Sequence, residues 1–459
     1  MTNIVKFTAK FSRDQKGIVA PMLGLMVIPM LAITGAAIDI GQAITAEKVL
    51  QNAVDSAALA VCSASPDESP DDVVKAFLAA GLEGSKLELG DGTSTPSSGK
   101  ISVQLEQVGF SAEENSVNPI AKATVPTSLL KLSGIPEIDI MARTKVGCGA
   151  KDLELSMVMD VTGSMNSYAG GKRKIESLRE ASNEVISIFE RNITAGATRV
   201  ALVPFSEAVN VGQYASKVRG EIASGTSQNP GSAGYTFKNK KNDYKTYQIT
   251  ECVSERVGGH AAKSTVPSCS GSHCTQPVGL VYTSGGVCKP ENKFMPLSGN
   301  AAALREAINS YQPNGYTAGH IGAAWGWYAL LDSWGGFWPD AAAAATDRDK
   351  LIKATIIMTD GEFNTQYLNG VQDRDRSGSS PNGSSNQQFE EICSAMKVDN
   401  IEVYTVGFGL SEGSDTAQRL QSCASDSGKF FLTDNGDGLR SVFNAISRQL
   451  SAGQAVVSE

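Results

Sequence analysis

Histidine is nearly missing from this chain of 459 residues: His260, His273 and His320 are all it has. The patterns that most often carry catalysis are missing too. There is no His-Glu-x-x-His, no Gly-x-Ser-x-Gly turn and no Gly-x₄-Gly-Lys-Ser/Thr phosphate loop. Without those constellations the chain reads as a non-enzyme. A metallohydrolase using Asp160 and Glu362 as acid and base is the remote alternative. An excess of positive charge is also absent. Lys and Arg number 40 against 48 Asp and Glu, a net charge of −8, which argues against a nucleic-acid binder.

Two further absences are local. From Gly17 to Ile38 no residue is charged over 22 positions. As a helix this stretch reaches roughly 33 Å at about 1.5 Å per residue, enough to cross a hydrocarbon core of about 30 Å. Lys6, Lys10, Arg13 and Lys16 precede it against one acid, Asp14. The expectation is a single-pass membrane helix, with the N-terminus cytoplasmic and the bulk outside. A secretion signal normally has a shorter apolar core, about 7–15 residues. Lys16-Gly17 resembles a prepilin cleavage point, but Met22 stands where pilins carry Glu, so an uncleaved anchor is expected.

No cysteine precedes the apolar stretch. All eight follow it: Cys62, Cys148, Cys252, Cys269, Cys274, Cys288, Cys393 and Cys423. An even number beyond a membrane reads as four disulfides in an oxidising compartment, here the periplasm. Cys393 and Cys423 flank one expected strand, 400–408, and are the best single pair. The group Cys252, Cys269, Cys274 and Cys288, with His273, invites zinc. Only Cys269 and Cys274 are close in sequence, so two disulfides bracing a long loop are the stronger reading.

What is present is a set of oxygen donors at strand ends. Asp160-Val161-Thr162-Gly163-Ser164 follows the apolar run 153–159. Thr359-Asp360-Gly361-Glu362 follows the run 354–358. Between them lies Asn314-Gly315-Tyr316-Thr317. In doubly wound sheets ligands bind outside the carboxyl ends of the strands. Two carboxylates and three hydroxyls offer hard oxygens without saturating a divalent ion's charge, so Asp160, Thr162, Ser164, Thr317 and Asp360 are the candidate metal ligands. Mg²⁺ suits such a set, and Mn²⁺ or Ca²⁺ would also be accepted.

These three segments, in this order, resemble the metal-ion-dependent adhesion site (MIDAS) of the von Willebrand factor A family. The resemblance implies direct ligation by Thr162, Ser164 and Thr317, with Asp160 and Asp360 acting mainly through water. It also implies cell-adhesion-type binding of a partner's carboxylate at the open position. Thr162 replaces the commoner Ser and keeps the hydroxyl.

Farther forward, Ile38-Asp39-Ile40-Gly41 and Gln51-Asn52-Ala53-Val54-Asp55-Ser56-Ala57-Ala58-Leu59-Ala60 follow the apolar stretch. With the basic leader they resemble the N-terminal segment of TadE/TadG-like proteins of Flp (tight adherence) pilus assembly. TadG-like members join it to a von Willebrand A domain. The run 318–327, Ala-Gly-His-Ile-Gly-Ala-Ala-Trp-Gly-Trp, is similar to that family, as are Cys393 and Cys423-Ala424-Ser425. The partner implied is a pilus or envelope protein, with no nucleic acid and no small-molecule substrate.

The expected organisation is a cytoplasmic leader, 1–16; a transmembrane helix and its extension, 17–62; a small α+β pilin-like module, 63–150; and an α/β domain, 151–451. The last is expected to be a doubly wound, mostly parallel sheet. Apolar runs at 200–205, 354–358 and 401–408 read as strands buried on both faces. A disulfide-braced insertion at about 207–310 interrupts the alternation and is expected to overhang the metal site. Trp325, Trp327, Trp334 and Trp338 are expected to fill the gap between helix and sheet, an aromatic contact surface being the alternative. A structural hydrogen bond is expected for His320.

Overall fold

The structure is a computed structural model. It describes residues 19–62, 64, 68–90, 100–111, 116–148, 151–228, 230–256, 258–286, 288–338, 351–454 and 456–458, without the side chains of 19–25, 28, 29, 31, 32 and 456–458. The basic leader, and most side chains of the stretch 17–38, lie outside the described residues. The chain divides into two compact units, 1–61 with 68–147 and 457–459, and 62–67 with 148–456.

The smaller unit is built on helix α1, Val19–Cys62. Its lower half buries Leu50, Ala53, Val54, Ala57, Ala58 and Val61 at helical spacing. Its upper part leaves Met26, Met30 and Ile33 more than 60% exposed. Among the described residues no helix is long and apolar enough to cross a membrane. Helix α2, Pro70–Leu82, starts with Pro in its first turn and Asp71 and Asp72 against the helix dipole, and buries Val73, Val74, Leu78 and Leu82. Strands β1 (Leu87–Leu89), β2 (Ile101–Gln107), β3 (Ile120–Pro126) and β4 (Glu137–Arg143) form one sheet in that order. The β3–β4 loop is tied to α1 by Asp39. Its Oδ1 accepts from the Ser128 N–H at 3.0 Å, and its Oδ2 from those of Leu129 and Leu130 at 2.8 and 2.7 Å.

The larger unit is a mixed sheet of eleven strands between two helical layers. Its elements are β5 (Asp152–Asp160), α3 (Lys174–Thr194), β6 (Thr198–Phe205), β7 (Val209–Asn210), β8 (Ala223–Ser227), β9 (Ser232–Lys238), β10 (Tyr244–Ser254), β11 (Gly279–Thr283), β12 (Met295–Ser298), α4 (Ala301–Ser310), α5 (Gly319–Ala329), β13 (Leu351–Thr359), α6 (Ser385–Val398), β14 (Glu402–Phe408), α7 (Asp415–Cys423), β15 (Phe430–Thr433) and α8 (Gly436–Gln454). The path runs β8-β9-β10-β7-β6-β5-β13-β14-β15. Its centre, β6-β5-β13-β14-β15, is parallel throughout. Apolar residues on one face of β5, Leu155, Met157 and Met159, pack with α3, α4 and α8. Val158, on the other face, packs with α5, α6 and α7. The sheet is therefore wound on both sides, as the unbroken apolar runs require.

The insertion is built largely of strands. Among the described residues, 207–310 hold eight strands and two α-helices, and six of the strands (β7 to β12) extend the central sheet from the β6 edge, by antiparallel pairing except between β8 and β9. Extending a sheet satisfies the backbone groups that so long a loop would otherwise leave to solvent. Cys252–Cys288 and Cys269–Cys274 are disulfides, not a zinc site, and Cys62–Cys148 and Cys393–Cys423 complete four. All four tryptophans are buried, so they fill the α5 side of the core and present no contact surface.

Candidate metal centre

Strands β5 and β13 run side by side in register, Met159 opposite Met358. Asp160 and Asp360 therefore leave the sheet at the same level. Asp160 is fully buried and held from two sides. Its Oδ1 accepts the Thr162 N–H at 2.9 Å, and its Oδ2 accepts the Thr359 hydroxyl at 2.6 Å. Beyond it the backbone is extended at Thr162 and then makes one 3₁₀ turn, Gly163–Asn166. The turn forms because the Met165 N–H donates to the Thr162 carbonyl, which folds the Met165 side chain into the core. The hydroxyls converge all the same. Thr162 Oγ1 and Ser164 Oγ lie 2.8 Å apart, and Ser164 Oγ donates to Asp360 Oδ1 at 2.6 Å.

Thr317 arrives on a loop pinned at several points. The Asn314 N–H donates to the Val161 carbonyl at 2.8 Å, and the Gly163 N–H to the Gly315 carbonyl at 2.9 Å. The Tyr316 N–H donates to Glu207 Oε1 at 3.0 Å, and the Thr317 N–H to Asn364 Oδ1 at 3.1 Å. Gly315 has φ of +77°, and a Cβ there would fall 2.9 Å from Glu207 Cγ, so both backbone and space favour glycine. A Cβ built on Gly361 would sit 3.9 Å from both Ser164 Oγ and Thr317 Oγ1. That point marks a concavity between the two hydroxyls. Asp160, Thr162, Thr317 and Asp360 are buried, while Ser164 is exposed at the mouth.

Among the described residues no three His, Cys, Asp or Glu side chains are grouped to hold a metal. The donor set here is two carboxylates and three hydroxyls, which fits a hard, partly hydrated divalent ion. The electrostatics fit too. Burial first, and the neighbouring Asp360 second, push Asp160 up to about 7, while its Thr162 and Thr359 hydrogen bonds pull the other way. Two acids share this dry site and repel each other, and a cation would offset that repulsion.

One cation is already present. Lys174, the first residue of α3, places Nζ 2.9 Å from Asp360 Oδ2, with 13% of its side chain exposed and none of Asp360's. Its ammonium lies 5.7 Å from the centre of the Phe408 ring. Lys174 is not among the residues that the sequence pattern singles out. One signal was available: a lysine in a helix's first turn opposes the dipole, so something else must hold it there. Glu207 was also passed over. It sits at the insertion's first residue, bound to Tyr316 N–H and to Gln372 Nε2, and burial raises its pKa.

His320 corrects another expectation. It is fully buried, and neither ring nitrogen makes a hydrogen bond. Nε2 lies 3.6 Å from Glu255 Oε2, beyond hydrogen-bond range. At the rim, Tyr316 is half exposed with the Arg374 guanidinium 3.3 Å above its ring, and Glu362 is exposed.

Comparison with known proteins adds the following. Residues 17–64 match the Tad family model, a Flp pilus-assembly TadE/G-like segment. No curated protein matches the chain. Among solved structures, the pilus adhesin SpaC from Lactobacillus rhamnosus GG is 14% identical with a TM-score of 0.36, covering 80% of this chain and 37% of its own. The chain thus spans little more than a third of that adhesin's length. The vWF domain of the type V pili tip protein Mfa5 from Porphyromonas gingivalis is 11% identical with a TM-score of 0.37, covering 66% of this chain and 96% of its own. Proximal thread matrix protein 1 from the mussel byssus, with a zinc-occupied MIDAS motif, is 12% identical with a TM-score of 0.31, covering 68% and 48%.

Proposed function

We propose that this chain is a non-enzymatic, membrane-anchored component of a Tad/Flp-type pilus system that grips a partner protein through a divalent ion. Thr162, Ser164 and Thr317 would hold Mg²⁺ directly, with Mn²⁺ or Ca²⁺ as substitutes, and Asp160 and Asp360 would act through water. When bound, the ion offers one electrophilic position to a carboxylate on a pilus or envelope protein. The observation that carries the reading is the meeting of three distant segments at the carboxyl ends of β5 and β13, around two buried acids short of countercharge. The TadE/G-like match at 17–64 supports the pilus assignment. The exposed Met26, Met30 and Ile33 support a helix that meets lipid, and four disulfides support a periplasmic location for the rest.

The test is capture of pilus and envelope proteins by the full chain, with and without chelator, alongside Thr317→Ala. Capture that needs Mg²⁺ and fails in the folded variant is the expected result. Capture that persists in chelator would favour a second reading, a periplasmic scaffold whose ion is only stabilising. The Lys174–Asp360 pair is what favours that second reading, because it gives the site a cation of its own.

A further inference from the structure

When both acids of the site are ionised they outnumber its one base, and Lys174 shows how the difference is managed. Asp160 and Asp360 bring two acids, and Lys174 brings one base. Asp360 divides its oxygens, Oδ1 to the Ser164 hydroxyl and Oδ2 to the lysine. A divalent ion entering the hydroxyl cluster would meet the ammonium on the same carboxylate. If the lysine stayed, the site would carry one positive charge too many; if it left, the two acids and the ion would balance. Departure is physically easy. The side chain reaches solvent, its stem is flexible, and its helix position repels a cation.

We propose that Lys174 is a tethered competitor of the metal: it neutralises Asp360 when no ion is bound, and ion binding exchanges it off Oδ2. This rests on the metal reading above. The test is Lys174→Met, measured by Mg²⁺ titration calorimetry and by thermal unfolding in chelator. Exchange predicts Mg²⁺ binding tighter by about tenfold or more, since a nearby like charge is gone, and a lower unfolding temperature in chelator that Mg²⁺ restores. Lys174→Gln keeps a hydrogen-bond donor for Oδ2 and deletes the charge. It should match Met in affinity and lie nearer wild type in stability, which keeps the test usable if Met folds poorly. Unchanged or weaker Mg²⁺ binding in both variants would overturn the exchange while leaving the metal site standing. No Mg²⁺ binding by wild type or either variant would overturn both.

A separate set of contacts concerns the smaller unit. Leu129 packs where a Cβ on Gly35 would come within 2.6 Å of it, so the β3–β4 loop lies beside the last turn of the uncharged stretch. Leu129, Leu132 and Ile135 are 41, 80 and 48% exposed. Lys131 is the one charge from 128 to 136. Asp39 turns three of the loop's N–H groups inward, which leaves its apolar side chains facing out. We infer that this loop rests in the interfacial zone of the bilayer beside the anchor helix, with Lys131 reaching the headgroups. This rests on the anchor reading. Among the described residues every cysteine is paired, so Leu132→Cys and Met26→Cys can be labelled singly with bimane in the full chain and reconstituted in phosphatidylglycerol-containing vesicles. Quenching of both by spin-labelled lipid is expected, with position 132 quenched more strongly by the shallow label. Quenching at 26 alone would overturn the loop's role; quenching at neither would overturn the anchor as well.

Discussion

The two ends of the parallel sheet solve the same problem with opposite charge counts. At the amino end Glu154 of β5 is buried between its register neighbours, Arg199 of β6 and Lys353 of β13. Arg199 donates to it directly, and the Lys353 ammonium lies 3.7 Å away. One acid meets two bases. At the carboxyl end Asp160 and Asp360 are buried on the same two-strand ridge with one base, Lys174. The amino end is closed by its own side chains. With both acids ionised the carboxyl end is one positive charge short, which is why Asp160 keeps a proton up to about pH 7, and it opens to solvent at Ser164. The lesson is that a buried carboxylate is not by itself a sign of function; the balance of its partners separates a structural clamp from a place awaiting a cation.

The comparison can be broken most forcefully at the closed end. Glu154→Gln leaves Arg199 and Lys353 facing each other across a neutral group. It should cost about 3 kcal/mol in urea unfolding, with the same loss in Mg²⁺ and in chelator. Next in size is the ion itself. Mg²⁺ at a hundred times its Kd should stabilise the wild type by about 2.7 kcal/mol, should do the same for Glu154→Gln, and should do far less for Thr317→Ala. Smaller still is Asp360→Asn in chelator. It breaks the lysine pair but also relieves the repulsion with Asp160, so the net cost should be about 1 kcal/mol, with the Mg²⁺ response lost. If Asp360→Asn in chelator costs as much as Glu154→Gln, the two ends are equivalent and the open-site reading fails.

What was legible in the sequence follows from the same physics. Asp160 and Asp360 stood out because each ends an apolar run, and a run buried on both faces must end where a parallel sheet meets solvent. The Cys393–Cys423 disulfide was legible because both residues flank one strand. The small α+β module was legible as such, and Pro70, Asp71 and Asp72 in the first turn of α2 are local signals of a helix start. The insertion was harder. Its strands are short and partly exposed, such as β8 with four of five residues exposed, so alternation is faint and the partner strand is far away in sequence. Lys174 and the His320–Glu255 approach were invisible for a different reason. Each depends on which side chains tertiary packing brings together, 186 residues apart for Lys174 and Asp360, and local pattern carries no such information.

The finest probe of the open end is pH. Asp160 in the folded chain sits near 7 through burial and the nearness of Asp360, against about 3.9 unfolded. Between those values the native state holds a proton the unfolded chain has lost, so metal-free stability falls as pH rises through that window. Glu190 and Asp426 act in the opposite sense. Arg305 and Lys429 respectively hold them below their usual range, so their contribution is present above about pH 4 and lost only as pH falls further. Above about pH 5 those two are mostly ionised in both states, and the groups that still hold native-state protons are Asp160 and Glu207, both raised by burial. In chelator, wild type should lose stability in urea unfolding from pH 5 to pH 7.5, and Asp160→Asn should lose clearly less, keeping only the share due to Glu207. Saturating Mg²⁺ should flatten the wild-type slope, because the ion favours the carboxylate that burial disfavours. Identical slopes for wild type and Asp160→Asn would mean that the pair at the carboxyl end is as well compensated as Glu154, and the contrast between the two ends would vanish.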